Sequence, residues 1–372
     1  MRERTDARFG GADFSQSPFT LAWEVTRACA LSCLHCRAVA QPKADPRELN
    51  HEEAIRVIDQ IREVGDPILV VTGGDPLMRR DVFDLLSYAV SLGLRTSLTP
   101  SATALANAKN LAKVRDTGVL RLAVSLDGPT AESHDAFRGF RGTFDRTMGI
   151  MRDAKEVGLA LQINTTVSRY NFPVLDQMVD IVANAGAVQW SVFFLVPTGR
   201  GKMDDMVTPE QHEQVFNWLY DLSRTAPFDV KSTAAPAYRR VAIQRAQAAS
   251  EGQDQRPVAG AGFRFADGLN RPAMGVNDGN GFAFISHIGE VCPSGFLPIV
   301  AGNVREQSFA EIYRNSPLFK ELRDQARLKG KCGVCEFGSV CGGSRARAYA
   351  VTGDYMETDP SCAYVPAGVV AA

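Results

Sequence analysis

Three cysteines stand within eight positions in the stretch TRACALSCLHCRA, as Cys29, Cys33 and Cys36. The C-x3-C-x2-C spacing is too tight for disulfides to explain all three thiols. Zinc takes four protein ligands in a structural site, or three that usually include histidine in a catalytic one. His35 lies between Cys33 and Cys36, but adjacent ligands on a short loop rarely point the same way. Three thiolates suit a cubane iron–sulfur cluster, which normally takes four, and one iron is then left open. An open metal position is where a substrate or cosubstrate binds.

A second set lies near the other end. Cys332, Cys335 and Cys341 form C-x2-C-x5-C, and Cys362 follows about twenty residues on. Four such cysteines signal a metal, with a [4Fe–4S] cluster and tetrahedral zinc as the two readings. Cys292 is the eighth cysteine. It reads as a buried thiol or a substrate-side group. His287 reads as a turn residue, not a ligand.

These residues need elements to position them. From 19 to 225 the chain alternates short apolar runs with amphipathic stretches. Strands are expected at 19–25, 67–71, 94–99, 120–127, 159–167 and 188–196, and helices at 50–65, 81–93, 102–117, 143–158, 173–185 and 208–224. Apolar, β-branched strands separated by helices imply a parallel sheet. Asn50 and Glu53 form a capping box at the start of the first helix. A parallel sheet of this kind carries its chemistry on the loops after its strands. The first cysteine triplet follows strand one, TGGDP (72–76) strand two, TPSA strand three, SLDG (125–128) strand four and PTGRG (197–201) strand six.

C-x3-C-x2-C after the first strand of a partial (β/α)6 TIM-like barrel resembles the radical S-adenosylmethionine (SAM) enzymes. The resemblance implies that SAM chelates the open iron of the triplet's [4Fe–4S] cluster. It implies reductive SAM cleavage to a 5'-deoxyadenosyl radical, which takes a hydrogen atom from substrate. GGDP resembles the segment that binds the SAM amino group, with Asp75 where glutamate is commoner, and this places Gly73, Gly74 and Asp75 at the cofactor. SLDG and HDAFRG resemble the segments that meet the ribose and the SAM carboxylate, and this places Ser125, Asp127 and Arg138 there. His35 departs from the usual aromatic residue before the third cysteine. No catalytic acid or base is singled out. The last third resembles the SPASM/twitch extension, and Cys332, Cys335, Cys341 and Cys362 match the ligands of its distal auxiliary cluster. The full seven-cysteine pattern would need cysteine at 345, where this chain has Arg345. Two clusters are therefore expected.

The expected organisation is an N-terminal tail (1–18), the barrel (19–227), an Arg/Gly-rich bridge (228–280) and the cysteine-rich extension (281–372). The segment CGGSRARAYAVTGDYMETDPSC resembles the haem-pathway branch, whose members act on propionates of a tetrapyrrole. Arg345, Arg347 and the bridge arginines Arg239, Arg240, Arg245, Arg256, Arg264 and Arg271 suit such carboxylates. Two alternatives stand beside that reading. One is a peptide maturase, although only about 18 residues precede strand one and leave no room for a fused leader-binding domain. The other is a non-catalytic iron–sulfur scaffold or redox sensor, against which the intact GGDP and SLDG segments argue. A dinucleotide-binding oxidoreductase finds no G-x-G-x-x-G. A low-potential donor such as flavodoxin or ferredoxin is implied as partner.

Bulk properties agree. Net charge is −1, which gives no sign of nucleic acid or membrane surface. The N-terminus is charged and lacks an apolar core, so it is no signal peptide, and no run approaches a membrane span. The expected compartment is the cytoplasm, where thiols stay reduced.

Overall fold

The computed structural model describes residues 13–250 and 275–367. Seven parallel strands run in chain order: β1 (Thr20–Glu24), β2 (Ile68–Thr72), β3 (Arg95–Leu98), β4 (Arg121–Ser125), β5 (Leu161–Val167), β6 (Gln189–Phe194) and β7 (Asp229–Thr233). The helices between them are α1 (His51–Val64), α2 (Val82–Ser91), α3 (Ala108–Asp116), α4 (Ala131–Arg138), α5 (Thr143–Val157), α6 (Val179–Asn184) and α7 (Pro209–Thr225). Neighbours in sequence are neighbours in the sheet, as right-handed crossovers over parallel strands produce. The architecture is the partial barrel that the alternating pattern implies.

The helices face the sheet along regular stripes. Ala54, Val57, Ile58, Ile61 and Val64 of α1 are buried, and the capping box of Asn50 and Glu53 is formed. They pack in one continuous core with Leu21, Trp23, Leu69, Val71, Leu122, Ile163, Trp190 and Val192 from the strands. Each large apolar side chain so buried contributes roughly 1.5–3 kcal/mol.

Three departures from the expected elements matter. The segment expected as a bridge opens with β7, which pairs with β6 from Gln189–Asp229 to Phe193–Thr233. Its helix, α8 (Ala237–Ser250), packs on α7. Between β4 and α5 lies α4, capped by Thr130 and closed by Gly139 in the left-handed region. Short propensity and polar composition hid both elements.

The third departure concerns the extension. Strands β8 (Asn277–Asp278), β9 (Gly281–Ile285), β10 (Glu290–Cys292) and β11 (Gly302–Asn303) follow. The expected hairpin is β9 and β10, which pair antiparallel. But β9 also pairs in parallel with β1, from Thr20–Phe282 to Trp23–Ile285. The extension thus lengthens the barrel sheet at its β1 edge, and eleven strands form one sheet among the described residues. Helices α9 (Phe309–Asn315), α10 (Pro317–Arg323), α11 (Gly330–Gly333) and α12 (Arg345–Thr352) complete the chain, with α9 packed on α1.

Candidate SAM and iron–sulfur sites

The first triplet hangs from the end of β1. Its base is closed by paired backbone bonds, Cys29 N to Gln41 O at 2.8 Å and Gln41 N to Arg27 O at 3.0 Å. Cys29 and Cys33 are buried and Cys36 is half-buried. The GGDP segment lies directly against this loop. Gly74 N donates to Thr26 O at 2.7 Å, and Asp75 N to Ala28 O at 2.6 Å. A Cβ on Gly74 would sit 2.5 Å from the carbonyl oxygens of Arg27 and Ala28. Backbone thus packs on backbone, which only glycine permits here.

The loop after β3 joins them. Ser101 Oγ donates to Gly74 O at 2.7 Å, and the Cys29 thiol donates to Ser101 Oγ at 3.4 Å. Asp75 is fully buried. Its carboxylate accepts from Thr103 Oγ1 at 2.6 Å and from Leu77 N at 3.2 Å. Burial pushes the Asp75 carboxyl up, and these donors only partly oppose it. Asp75 therefore braces the loop with an internal bond.

On the other side, Arg138 ends α4 and places Nη1 3.6 Å from Cys33 Sγ. Its Nη2 lies 2.8 Å from Asp127 Oδ2. Burial alone would raise the Asp127 carboxyl, but Arg138, His35 and His134 carry it below the usual range. Asp127 Oδ1 also accepts from Thr166 N at 2.7 Å. Ser125 ends β4 opposite Asn164 of β5. His35 stacks on Phe137, with centroids 4.2 Å apart and planes 6° from parallel. Burial drives its pKa down to about 4, so it is a neutral ring.

One residue at this site went unassigned in the sequence. Arg200, in the PTGRG loop after β6, donates from Nε to Cys33 O at 2.9 Å and from its backbone N to Cys36 O at 3.0 Å. Its Nη2 is buried and has no partner among the described residues. A buried unpaired guanidinium nitrogen is costly unless a ligand meets it. Its place after a strand, in a loop with two glycines, was the available signal.

The second set lines one cavity, where Cys332, Cys335, Cys341 and Cys362 meet Gly343 and Tyr364. Gly343 N donates to Cys341 Sγ at 3.4 Å and Arg345 Nη2 approaches Cys332 Sγ at 3.6 Å. Burial pushes the Cys341 thiol up to about 12 and raises Cys335 and Cys362 as well. Four thiols around one cavity, with N–H donors at the Cys341 and Cys332 sulfurs, suit a thiolate-held cluster.

Cys292 is buried in β10 across from Phe284, and burial lifts its thiol to about 12. His287 is buried in the β9–β10 turn, with Nδ1 3.0 Å from Glu24 Oε1.

The Radical SAM superfamily model matches residues 23–184, and that of the iron–sulfur cluster-binding SPASM domain matches 277–336. An AdoMet-dependent heme synthase of Oleidesulfovibrio alaskensis is 44% identical over 93% of this chain and 87% of its own. One of Methanosarcina barkeri is 43% identical over 95% and 98%. The chain belongs to the radical SAM superfamily. It sits in the superfamily's haem-synthesis branch, carries a SPASM extension and is an enzyme. Its cofactors are [4Fe–4S] clusters and SAM. Streptococcus suis SuiB bound to SAM superposes with a TM-score of 0.69 over 94% of this chain and 78% of its own, at 17% identity, which is a likeness of fold.

The arginines expected at substrate carboxylates are placed elsewhere. Arg347 is fully buried. It donates to Ala234 O at 2.8 Å and to Phe194 O at 3.3 Å, and lies 3.4 Å from Asp359. Arg345 is buried against carbonyls. Arg239 donates to Val276 O at 3.2 Å, Arg240 pairs with Glu213 at 2.5 Å, and Arg245 pairs with Asp221. Arg256, Arg264 and Arg271 lie outside the described residues. The described arginines expected at substrate carboxylates thus act as internal ties. Among the described residues no helix is long and apolar enough to cross a membrane.

Proposed function

We propose that this enzyme is a haem synthase that removes propionate carboxylates from a tetrapyrrole by SAM-derived radical chemistry. The observation that carries this reading is identity above 40%, nearly end to end, with two AdoMet-dependent heme synthases. The peptide-maturase alternative has less behind it, since the mycofactocin maturase of Mycolicibacterium smegmatis is 29% identical over 93% of this chain, against 43–44% for the heme synthases.

In this reading Cys29, Cys33 and Cys36 hold the SAM-binding cluster, and Cys332, Cys335, Cys341 and Cys362 hold the auxiliary one. When bound and reduced, the first cluster with SAM supplies a 5'-deoxyadenosyl radical that takes a hydrogen atom from substrate. The chain provides placement and dryness. Gly73 and Gly74 bring bare backbone to the cofactor. Asp75, through Thr103, keeps that backbone in register with the cysteine loop. Asp127 and Ser125 face the ribose, and Asp127 holds Arg138 on Cys33. With Arg138 engaged there, Arg200 offers a buried Nη2, without a partner among the described residues, to a carboxylate. A flavodoxin or ferredoxin supplies electrons, and the eight free cysteines suit a reducing cytoplasm.

The test is 5'-deoxyadenosine formation by anaerobically reconstituted, dithionite-reduced enzyme, with the Cys29/Cys33/Cys36→Ala variant as control. Propionate-bearing iron tetrapyrroles should stimulate turnover and lose carbon dioxide. Stimulation by peptides but not by tetrapyrroles would overturn the substrate reading.

A further inference from the structure

Each cysteine set has an arginine against one of its sulfurs. Arg138 Nη1 lies 3.6 Å from Cys33 Sγ, and Arg345 Nη2 lies 3.6 Å from Cys332 Sγ. Their charges are treated differently. Arg138 pairs with Asp127 at 2.8 Å. The remaining bonds of Arg345 go to backbone carbonyls only: Nη1 to Tyr355 O at 2.8 Å and Glu357 O at 2.7 Å, and Nε to Gly343 O at 3.3 Å. Among the described residues it forms no ion pair, and it is 1% exposed.

A buried cation with no carboxylate in contact is expensive, and the buried Asp278 and Asp359 act on Arg345 only from beyond ion-pair distance. It is stabilised when an anion stands in front of it, and its Nη2 lies 3.6 Å from Cys332 Sγ, one of the four thiols that line the cavity beside Arg240 and Lys331. The neighbouring backbone makes the approach possible. Gly343 lies in the left-handed region, and a Cβ there would sit 2.5 Å from Arg345 Nη2 and 3.0 Å from Cys332 Sγ.

We propose that Arg345 is a positioning residue that sets the reduction potential of the auxiliary cluster. The inference rests on the reading above that Cys332, Cys335, Cys341 and Cys362 hold that cluster. Reduction adds one negative charge. A fixed guanidinium and an N–H aimed at a ligand sulfur favour the charged, reduced form, and so raise the potential. At the first site Arg138 shares its charge between Cys33 and Asp127, so the effect is weaker there than at the C-terminal site. Arg345 occupies the position at which the full SPASM pattern has a cysteine for its other auxiliary cluster. In this chain that position serves the cluster that remains.

The test uses full-length, iron-loaded protein carrying Cys29/Cys33/Cys36→Ala, so that only the auxiliary signal is read. Its midpoint potential is followed by EPR during redox titration, with and without Arg345→Gln and Arg345→Lys. Arg345→Gln keeps a donor and removes the charge. It should lower the potential so that the reduced-to-oxidised ratio at the parent midpoint falls about tenfold, which is 59 mV for one electron. Arg345→Lys should lie closer to the parent. An unchanged potential in an Arg345→Gln protein that still holds the cluster overturns the proposal. If both variants lose the cluster, 15N-arginine labelling of an Arg240→Lys protein decides, since Arg240 also lines the cavity: nitrogen hyperfine coupling to the reduced cluster supports the contact, and its absence overturns it. A triple variant that holds no cluster at all would instead refute the assignment of the four cysteines.

Discussion

Asp75 Oδ2 accepts a 2.6 Å hydrogen bond from Thr103 Oγ1, tying the glycine-rich segment after β2 to the loop after β3. The carboxylate is buried, so losing this donor has a direct cost. Thr103→Val should destabilise the protein by about 1.5–3 kcal/mol, read as a lower Tm. Iron loading at the first site should fall with it. If Asp75 instead met SAM directly, the same variant would keep its Tm and weaken only SAM binding.

Gly74→Ala should be more selective. Its new methyl would meet the carbonyls of Arg27 and Ala28 at 2.5 Å, and backbone cannot move aside cheaply. Loss of the first cluster with retention of the second is the expected result. Iron analysis and EPR of the variant would show about half the parent's iron. Full iron content would show that the loop tolerates the shift.

Arg200→Met tests the unpaired Nη2 beside the triplet. A charged hydrogen bond to a ligand carboxylate is worth about 1.5–3 kcal/mol. SAM or the tetrapyrrole should therefore bind at least about tenfold more weakly, with both clusters intact. Separate affinity measurements would say which ligand carries the carboxylate. Unchanged affinity for both would leave Arg200 a loop clamp through Cys33 O and Cys36 O alone.

Arg347→Ala addresses a tie between the extension and the ends of β6 and β7. It removes the partner of buried Asp359 and the donor to Phe194 O, Leu195 O and Ala234 O. Burial would lift the Asp359 carboxyl, but Arg347 and the N–H groups of Ser344 and Ser361 hold it low. Breaking such a buried pair costs about 3–5 kcal/mol. A large drop in Tm and lost auxiliary iron are expected. An unchanged Tm with a raised KM for tetrapyrrole would restore Arg347 to the substrate.

Glu53 meets Arg305 at 2.7 Å, linking α1 to the extension. The hydrogen bond from Arg305 holds the Glu53 pKa at about 2 against an ordinary 4.5. A depressed carboxyl stabilises the fold above about pH 4.5 and loses that contribution as pH falls toward 2. Glu53→Gln keeps the helix cap and removes the charge. After allowance for solvent screening, it should cost about 0.5 kcal/mol. The Tm gap to the parent should stay constant from pH 8 to pH 5. A gap that closed between pH 7 and 6 would implicate a histidine instead.

What the sequence disclosed follows from which signals are local. Cysteine spacing, the capping box at Asn50 and six of the strands are short-range patterns, and they could be read directly. Strand β7 could not, because DVKST is short and only its first two residues are buried. The pairing of β9 with β1 has no local signature, since the partners lie about 260 residues apart. Arg345 and Arg347 misled for another reason. A guanidinium that caps backbone carbonyls has the same letter as one that meets a substrate carboxylate. Only the partners separate the two, and partners such as Tyr355 O and Ala234 O are set by the fold.

The β1–β9 pairing also bears on synthesis. The strand that carries the first cysteine triplet gains its second neighbour only when residues 281–285 have been made. At ~5–20 residues per second, that leaves β1 an open edge for about 13–50 s on the ribosome. Unpaired strand edges are templates for association with other chains. A nascent chain stalled between residues 230 and 280 would display the three cysteines on an unprotected edge. Its safety in that interval depends on whatever binds it as it emerges.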